Sequence, residues 1–475
     1  MFQVKTTHIP GDTHTPVGVY LRLRDVFPQC LLLECTDYSS RQNAFSYICI
    51  TPIAGITATE KQYEITRPDG SSEIHPWHDL LKLPDMVDDF LESLPKPTVE
   101  DTRIMPGVFG YTSYDAVNGF DNVNLKSPFS EHEHAIPLLK YDLYQVVIAF
   151  NHFNSLISIT EILPEGKDAI SSDVLSIISN RNNTFFPFRI RDEERILTSD
   201  KDFKEQVNKG VQSCARGDVI QLVLSRKYQQ DFTGDEFNVY RALRSINPSP
   251  YLFYFDYLDF KLFGSSPEVQ LQVGNGKATI NPIAGTVIRT GKPGSDQRLI
   301  EKLLTDPKEN SEHAMLVDLA RNDLSRHAYD VMVDSYREVH TYSHVIHLVS
   351  TVTGTLNEKS RLYRLFADSL PAGTLSGAPK HMAIQLIDKY ERKARGFYGG
   401  AIGFMGFDHS LNHAIMIRSF MSKNGTLHYQ AGAGVVVDSS PEGELNEVNG
   451  KISALRKAII RADSTTNKDT TNDSV

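Results

Sequence analysis

The chain has 475 residues, of which 40% are hydrophobic and 23% charged, and its formal net charge is −10. This composition is typical of a globular protein with a large core, and the acidic balance argues against nonspecific binding to nucleic acid or anionic membranes. No run approaches the length of a membrane span, and the first residues lack the apolar core of a signal peptide. The four cysteines form no CxxC or zinc pattern, which favours free thiols and a cytoplasmic location.

The first part of the chain is predicted to be rich in strands. Short apolar runs with polar breaks predict them at 17–23, 30–36, 45–53, 107–115, 143–150 and 155–163. A helix is predicted at 76–95, where apolar residues recur at helical spacing. The weakly patterned stretch 179–195 is interpreted as a junction between domains. We therefore predict an amino-terminal domain at 1–190, a second domain at 191–463 and a polar, disordered tail at 464–475.

Strands and helices are mixed in the second part. A helix at 202–217 and a dense strand at 218–228 come first, and further helices are predicted at 295–322, 379–394 and 441–462. Several strand pairs between these helices resemble hairpins instead of alternating strictly with helices. This pattern favours an α+β fold, with mainly antiparallel sheets flanked by helices, over a doubly wound parallel sheet. No GxGxxG or GxxxxGK[ST] motif is present, so neither a dinucleotide site nor a P-loop is predicted.

Two separate predicted helices each carry an ExxE pair. Glu309 and Glu312 precede an apolar run, and Glu444 and Glu447 lie one turn before Lys451 on the last helix. Like charges on one helical face repel by a few tenths of a kcal/mol, so either these faces are simply solvated or a cation compensates them. Carboxylates from two helices suit Mg²⁺, which takes one or two of them directly and keeps several waters. Solvation is the simpler interpretation of either pair alone.

A series of motifs occurs in one order between Asp202 and Ile460. They are DVIQLVLSRKY, INPSPYLFYF, FGSSPEVQ, NPIAGT, EHAMLVDLARNDLSR, YSHVIHLVS, PAGTLSGAPK, FYGGAIGFMGF, AIMIRSF and QAGAGVVVDSSPEGE. Together they resemble the chorismate-utilising enzymes, and within that family most of all the large subunits (component I) of anthranilate synthases. The resemblance implies the α+β fold of these enzymes, chorismate as substrate, and Mg²⁺ held against the ring carboxylate of chorismate by the two ExxE helices.

The resemblance also assigns the four glutamates. Glu312 and Glu447 would be the direct Mg²⁺ ligands, whereas Glu309 and Glu444 would act through water or from behind them. Positive charge at the site would then offset the unfavourable field of an acidic protein on a dianionic substrate.

Two positions bear on which nucleophile attacks chorismate. Gln221 lies where the water-using relatives have a lysine that deprotonates water, and an amide cannot act as that base. Ala284 lies where aminodeoxychorismate synthases have a nucleophilic lysine. Both residues favour ammonia attack at C2 and then loss of pyruvate, which gives anthranilate through 2-amino-2-deoxyisochorismate. An aminodeoxychorismate synthase, an enzyme that stops at the aminated intermediate, and a non-catalytic tryptophan-sensing homologue are the alternatives.

The catalytic and substrate-binding residues follow from the resemblance. Glu268 matches the family's acid, which protonates the leaving C4 hydroxyl. His347 matches the family's base or electrostatic partner, although a lone histidine in an apolar strand is more often a core residue. Tyr398 and Arg418 match the clamp for the pyruvyl carboxylate. The other candidates that match are Gly285, Thr286, Thr374, Gly432, Ala433, Gly434 and Lys451.

Partners and regulation are also implied by the resemblance. The chain shows no Gly-rich cysteine elbow, so a separate glutamine amidotransferase subunit (component II) would supply ammonia. The amino-terminal half of this family often carries a feedback site for L-tryptophan. Here Cys35 and Ala44 replace the family's serine and arginine, which leaves the strength of inhibition open. The residues that match this site are Glu34, Cys35, Asn247, Pro248, Pro250, Tyr251 and Leu252.

Overall fold

The computed structural model describes residues 3–35, 44–97, 101–126, 135–180, 182–341, 345–357 and 360–469. Within these ranges, 22 strands form one connected sheet, and ten α-helices accompany them. The strand pairs of the described residues are antiparallel. The predicted α+β class with mainly antiparallel sheets is therefore confirmed.

The strands and helices have the following bounds. The strands are β1 (Gln3–Pro10), β2 (Leu31–Cys35), β3 (Phe45–Ala58), β4 (Gln62–Thr66), β5 (Ser72–Pro76), β6 (Gly107–Thr112), β7 (Leu139–Asn151), β8 (Leu156–Leu163), β9 (Phe188–Ile196), β10 (Gln221–Gly234), β11 (Tyr251–Asp256), β12 (Lys261–Ser266), β13 (Val269–Gly274), β14 (Lys277–Ile280), β15 (Ile283–Ile288), β16 (Ala328–Thr341), β17 (Val345–Leu356), β18 (Gly377–Ala378), β19 (Ala401–Gly406), β20 (Leu411–Ile415), β21 (Ser419–Lys423) and β22 (Thr426–Val435). The helices are α1 (Pro16–Leu23), α2 (Leu83–Ser93), α3 (Ser171–Ser179), α4 (Asp200–Arg216), α5 (Phe237–Ile246), α6 (Pro293–Thr305), α7 (Pro307–Ser325), α8 (Leu362–Ser369), α9 (Lys380–Glu391) and α10 (Pro441–Asp469).

Strands from both halves of the chain pair with each other. The strand β2 pairs with β11, and β6 pairs with β19. Two large hydrophobic clusters each contain residues from before and after position 190. Leu31 and Leu33 belong to one cluster and Leu32 to the other, as the alternation of side chains along a strand requires. The predicted boundary at 190 falls inside β9, and the division into two domains stays a prediction.

The prediction of a strand at 17–23 is wrong, because these residues lie in the helix α1. Thr15 caps its start, since Thr15 Oγ1 accepts the N–H of Gly18 at 3.1 Å. Pro16 occupies the first turn, where its missing N–H leaves no bond unmade. Val19 and Leu23 are both buried at helical spacing. The aromatic and β-branched residues of this segment hid that period.

Other helices also differ from their predictions in their bounds; the helix predicted at 76–95, for example, is α2 at Leu83–Ser93. The helix predicted at 295–322 is two helices, α6 and α7, because Pro307 lacks an N–H donor and restricts the residue before it. The helix α4 is followed, as predicted, by Gly217, whose φ of 80° is left-handed. The helix α10 continues to Asp469, into the segment predicted as a tail, and residues 470–475 lie outside the described part.

The two helices that carry the ExxE pairs pack on different strands of the sheet. The helix α7 packs on β15, β16 and β17, while α10 packs on β22 and α5. The strand β10, which begins at Gln221, pairs with β22 and with the short strand β18. Across the described ranges, every helix is too short or too polar to cross a bilayer.

Candidate active site

Glu268 lies between β12 and β13 and is partly buried. Thr374 Oγ1 donates a hydrogen bond to Glu268 Oε1 at 2.7 Å. Burial raises the pKa of Glu268 to about 7, against the opposing effects of the Thr374 bond and the charges of Lys451 and Arg418. A carboxyl group with a pKa near neutrality can hold a proton at neutral pH and donate it to a leaving group.

His347 lies on β17, where it is 3% exposed and faces Thr286 of β15 and His340 of β16 in the strand register. Burial and, to a smaller extent, the nearby charge of Arg418 lower the pKa of His347 to about 4, while a hydrogen bond with the backbone of Gly285 acts in the opposite direction. The imidazole is therefore neutral at neutral pH. In that state it can accept a proton, and it cannot donate one as an acid.

Gln221 connects the first ExxE helix to the sheet. Its Nε2 donates to Glu312 Oε1 at 3.2 Å. Its Oε1 is buried and has no hydrogen-bond partner among the described residues. Gly434, on the neighbouring strand β22, leaves room for this amide, because a Cβ at position 434 would lie 2.3 Å from Gln221 Nε2. The amide is thus fixed between a strand and a carboxylate.

The second ExxE helix reaches the same strand through Lys451. Lys451 Nζ lies 2.8 Å from Glu447 Oε1 and donates to the carbonyl oxygen of Gly432 at 2.9 Å. Gly432 is two residues from Gly434, which borders the amide that binds Glu312. The two ExxE helices, α7 and α10, are therefore both linked to the end of β22, α7 through Gln221 and α10 through Lys451.

The four glutamates are chemically suited to Mg²⁺. Among the described residues, no three Asp, Glu, His or Cys side chains already stand together as a ligand group. Mg²⁺ needs only one or two carboxylates, and it takes its other ligands from water and substrate. Glu312 and Glu447 would supply these two carboxylates. Glu309 lies close to Gly285, where a Cβ would be 3.2 Å from Glu309 Oε2, and Glu444 is 6% exposed on α10.

Tyr398 and Arg418 lie near the carboxyl group of Glu268. Arg418 has a left-handed φ of 50°, and its Nη1 donates to Asn247 Oδ1 at 3.3 Å. Burial lowers the pKa of Arg418, and the charge of Glu268 opposes this effect. Tyr398 is 4% exposed, and a Cβ at Gly432 would lie 3.0 Å from its hydroxyl oxygen. A cation and a hydroxyl beside Glu268 are the groups that a substrate carboxylate needs.

The remaining predicted residues of the site lie on the same strands. Ala284 is 6% exposed on β15, opposite Leu348 in the register. Ala433 is fully buried on β22. The side chain of Thr286 lies outside the described part of the chain. These positions leave the roles assigned to them as predictions.

Part of the segment predicted to bind tryptophan borders a large cavity. This cavity has a volume of about 1090 Å³. Pro248, Pro250 and Tyr251 line it together with the aromatic rings of Phe45 and Tyr47. Its walls combine these rings and prolines with many polar side chains, among them Arg103, Gln272 and Lys277.

Two other residues predicted for the tryptophan site do not line this cavity. Glu34 is 1% exposed, and its carboxylate accepts from Tyr240 Oη at 2.6 Å and from Arg244 Nε and Nη2 at 2.9 and 3.0 Å. Leu252 packs in the hydrophobic cluster on that same side of the sheet. The side chain of Cys35 lies outside the described residues. The tryptophan site stays a prediction.

The sequence analysis did not identify a buried ion pair beside the site. Arg395 Nη2 lies 2.6 Å from Glu391 Oε1, and both side chains are almost completely buried. The one available signal was the spacing of the two opposite charges, four residues apart and directly before the GFYGG turn. That spacing is also common on exposed helix surfaces, so it does not by itself indicate burial.

Comparison with known proteins gives one consistent result. Residues 33–457 match the family of chorismate binding enzymes. The chain is 35% identical to anthranilate synthase component 1 of Aquifex aeolicus, over 95% of this chain and 94% of that protein. It is 34% identical to the protein of the same name from Lactococcus lactis, over 95% of this chain and 99% of that protein.

Solved structures agree with the sequence relatives. The structure of anthranilate synthase component I from Streptococcus pneumoniae superposes with a TM-score of 0.74 and 28% identity, covering 86% of this chain and 92% of that chain. The menaquinone-specific isochorismate synthase of Escherichia coli superposes with a TM-score of 0.72 at 17% identity, covering 97% and 95%, which indicates a shared fold. The chain belongs to the chorismate binding enzyme family. Within that family, it is similar over nearly its whole length to component 1 of anthranilate synthases, as the motifs predicted.

Substituting Gly434 by alanine is expected to disturb the amide of Gln221, because the added Cβ would lie 2.3 Å from Nε2. A displacement of about 1 Å at a positioned group can cost roughly 100-fold in rate. We expect G434A to lower kcat/KM for chorismate by about 10- to 100-fold. Gly294→Ala is the control, since a Cβ there meets nothing within 4 Å. Wild-type kinetics in G434A would contradict this role of the close contact.

Proposed function

We propose that this chain is the component of an anthranilate synthase that converts chorismate and ammonia to anthranilate and pyruvate through 2-amino-2-deoxyisochorismate, and that it is a lyase. One observation carries the proposal. Glu268, with a pKa of about 7, and His347, with a pKa of about 4, lie under the influence of the same cation, Arg418. The site thus offers a proton donor, a proton acceptor and a carboxylate-binding group in one place.

Chorismate is a dianion, so its carboxylates need local positive charge. Arg418 and the hydroxyl of Tyr398 would hold the pyruvyl carboxylate, with backbone N–H groups of residues 432–434. Glu312 and Glu447 would hold Mg²⁺, with Glu309 and Glu444 behind them. When bound, the ion would stabilise negative charge on the ring carboxylate as a Lewis acid.

The first step needs an acid, because hydroxide is a poor leaving group. Glu268 would donate its proton to the C4 oxygen, so that water leaves as ammonia forms its bond to C2. Thr374 fixes the orientation of that carboxyl group through its bond to Oε1. The other carboxyl oxygen can then carry the proton.

The second step needs a base. The neutral imidazole of His347 would accept the proton from C2, and the electron pair of that C–H bond would form the aromatic ring as the bond from C3 to the ether oxygen breaks. Enolpyruvate leaves and becomes pyruvate after protonation. A pKa of about 4 keeps His347 in the accepting form over the whole neutral range.

Gln221 and Ala284 support ammonia as the nucleophile. An amide bound to Glu312 cannot deprotonate water, and a buried alanine cannot form a covalent adduct. We propose that a separate glutamine amidotransferase subunit supplies the ammonia, which the name "component 1" of the relatives supports. Feedback by L-tryptophan and a cytoplasmic location are further predictions.

The proposal predicts anthranilate fluorescence when the purified chain is incubated with chorismate, Mg²⁺ and ammonium at alkaline pH. With glutamine in place of ammonium, the chain alone is expected to give none. Formation of 4-amino-4-deoxychorismate would instead indicate an aminodeoxychorismate synthase. Accumulation of the aminated intermediate would indicate an enzyme that stops before the elimination, and an absence of any chorismate consumption would favour the non-catalytic homologue.

A further inference from the structure

Arg395 is a buried residue that the mechanism above does not use. Its side chain is 1% exposed. The guanidinium forms a two-point pair with the carboxylate of Glu391, with Nε to Oε2 at 3.0 Å and Nη2 to Oε1 at 2.6 Å. Removing two charges from water is costly, and their attraction only partly offsets that cost. A contribution to the stability of the fold is therefore a weak explanation for the presence of this buried pair.

The remaining donors of Arg395 bind the main chain at two places in the site. Arg395 Nη1 donates to the carbonyl oxygen of Leu375, and Nη2 donates to that of Val223, each at 2.6 Å. Leu375 directly follows Thr374, whose hydroxyl holds Glu268. Val223 lies on β10, two residues after Gln221. One planar guanidinium therefore ties the Thr374 turn to the strand of Gln221.

Other contacts hold the ion pair itself in place. Glu391 Oε1 also accepts from the N–H and the hydroxyl of Ser225, at 2.8 and 2.7 Å, so the carboxylate is anchored to β10. The guanidinium carbon of Arg395 lies 4.7 Å from the ring centroid of Tyr114 and 5.8 Å from that of Tyr398. Such cation–π contacts favour a fixed orientation. Tyr398, the predicted carboxylate-binding tyrosine, is thereby packed against the same group.

We propose that Arg395 is a positioning residue that keeps the hydroxyl of Thr374 on the carboxyl group of Glu268. It acts through the carbonyl of Leu375 and does not itself touch the acid. A lysine would keep the charge, but a single ammonium cannot reproduce the planar fork that reaches Glu391 and two carbonyls together. The inference rests on the proposed function, in which Glu268 is the acid.

The test compares Arg395→Lys with Thr374→Val. We expect each to lower kcat by about 10- to 100-fold with a smaller change in KM. The Thr374 bond lowers the pKa of Glu268, so its loss should move the alkaline limb of the pH–rate profile to higher pH. The charged groups that act on this carboxyl, Arg418 and Lys451, are unchanged in both variants. In the T374V background, R395K is expected to add no further shift.

Arg24→Lys is the matched control. Arg24 also forms a two-point pair, with Asp235, and lies over an aromatic ring, with its guanidinium carbon 5.0 Å from the ring centroid of Phe237. R24K should lower the unfolding temperature and leave the pH–rate profile unchanged. If R395K does not fold, Glu391→Gln is tested instead. We expect E391Q to move the alkaline limb to higher pH, by a smaller shift than that expected for R395K.

The inference would be overturned if the alkaline limb of the pH–rate profile did not move in folded R395K. It would also be overturned if that limb did not move in E391Q, should R395K fail to fold. Additive shifts of the limb in the T374V/R395K double variant would overturn it as well. Failure of the proposed function is distinguishable, since the wild-type chain would then form no anthranilate. In that case Arg395 would have no acid to position, and the inference would fail with it.

Discussion

Glu268→Gln is expected to lower kcat for anthranilate formation by about 1,000-fold, within the range typical of a removed general acid. Glutamine has nearly the same size and can still accept the Thr374 hydrogen bond, but it carries no acidic proton for the C4 oxygen. KM for chorismate should change much less, because the carboxylate-binding groups are kept. The measurement is steady-state anthranilate fluorescence at a fixed concentration of free ammonia.

The pH dependence gives the same prediction a second readout. The active form of Glu268 is protonated, and its pKa is about 7, so kcat/KM should fall as the pH rises through about 7 when free ammonia is held constant. This limb should be absent from the residual activity of E268Q. Glu205→Gln, at an exposed position on α4, is the control and should leave the profile unchanged. A wild-type rate, or an unchanged alkaline limb, in E268Q would contradict the acid role.

Glu312→Gln and Glu447→Gln are each expected to weaken Mg²⁺ binding by about 100-fold or more. Loss of groups that only support a metal ligand already costs roughly 10- to 100-fold in affinity, and these residues are the proposed ligands themselves. An amide keeps one oxygen but loses the charge that a hard dication requires. Calorimetric titration of Mg²⁺ into the chain, in the presence of a benzoate as a stand-in for the ring carboxylate, measures the effect without turnover.

The control for the metal prediction is Asp318→Asn, since Asp318 lies on α7 with a side chain that is 79% exposed. It removes a carboxylate from the same helix and should leave Mg²⁺ affinity unchanged. Chelator treatment should abolish the activity of the wild-type chain, and added Mg²⁺ should restore it. Unchanged Mg²⁺ affinity in both glutamine variants would exclude the ExxE pairs as the metal site.

The sequence was sufficient for the antiparallel α+β class and for the motifs that meet in space. Glu268, His347 and Arg418 come from distant segments, and each was identified from its motif. The structure brings Glu268 and His347 each within electrostatic range of Arg418. Periodicity failed at α1, where apolar residues at most positions fit a strand as well as a helix. Periodicity also predicted one helix where the structure has α6 and α7, because the helical spacing of apolar residues continues across Pro307.

The contacts that hold the site together were not predictable from the sequence. Asn247 was interpreted as part of a tryptophan site, yet its side chain accepts from Arg418. Arg395 was not singled out by any motif, yet it is buried and binds three elements. Such contacts depend on strand register and on how helices pack, and no local pattern encodes either. The motifs therefore identified the candidate chemical groups and Thr374, but not the Arg395–Glu391 pair behind them.

The central claim is that Glu312 and Glu447, from two separate helices, hold one ion that binds the substrate. A crystal structure of the chain grown with Mg²⁺ and a benzoate tests this most directly. The account predicts one Mg²⁺ bound by an oxygen of each carboxylate at about 2.1 Å, with the carboxylate of the ligand on the same ion. Glu312 and Glu447 on separate ions, or a ligand bound away from the metal, would contradict it.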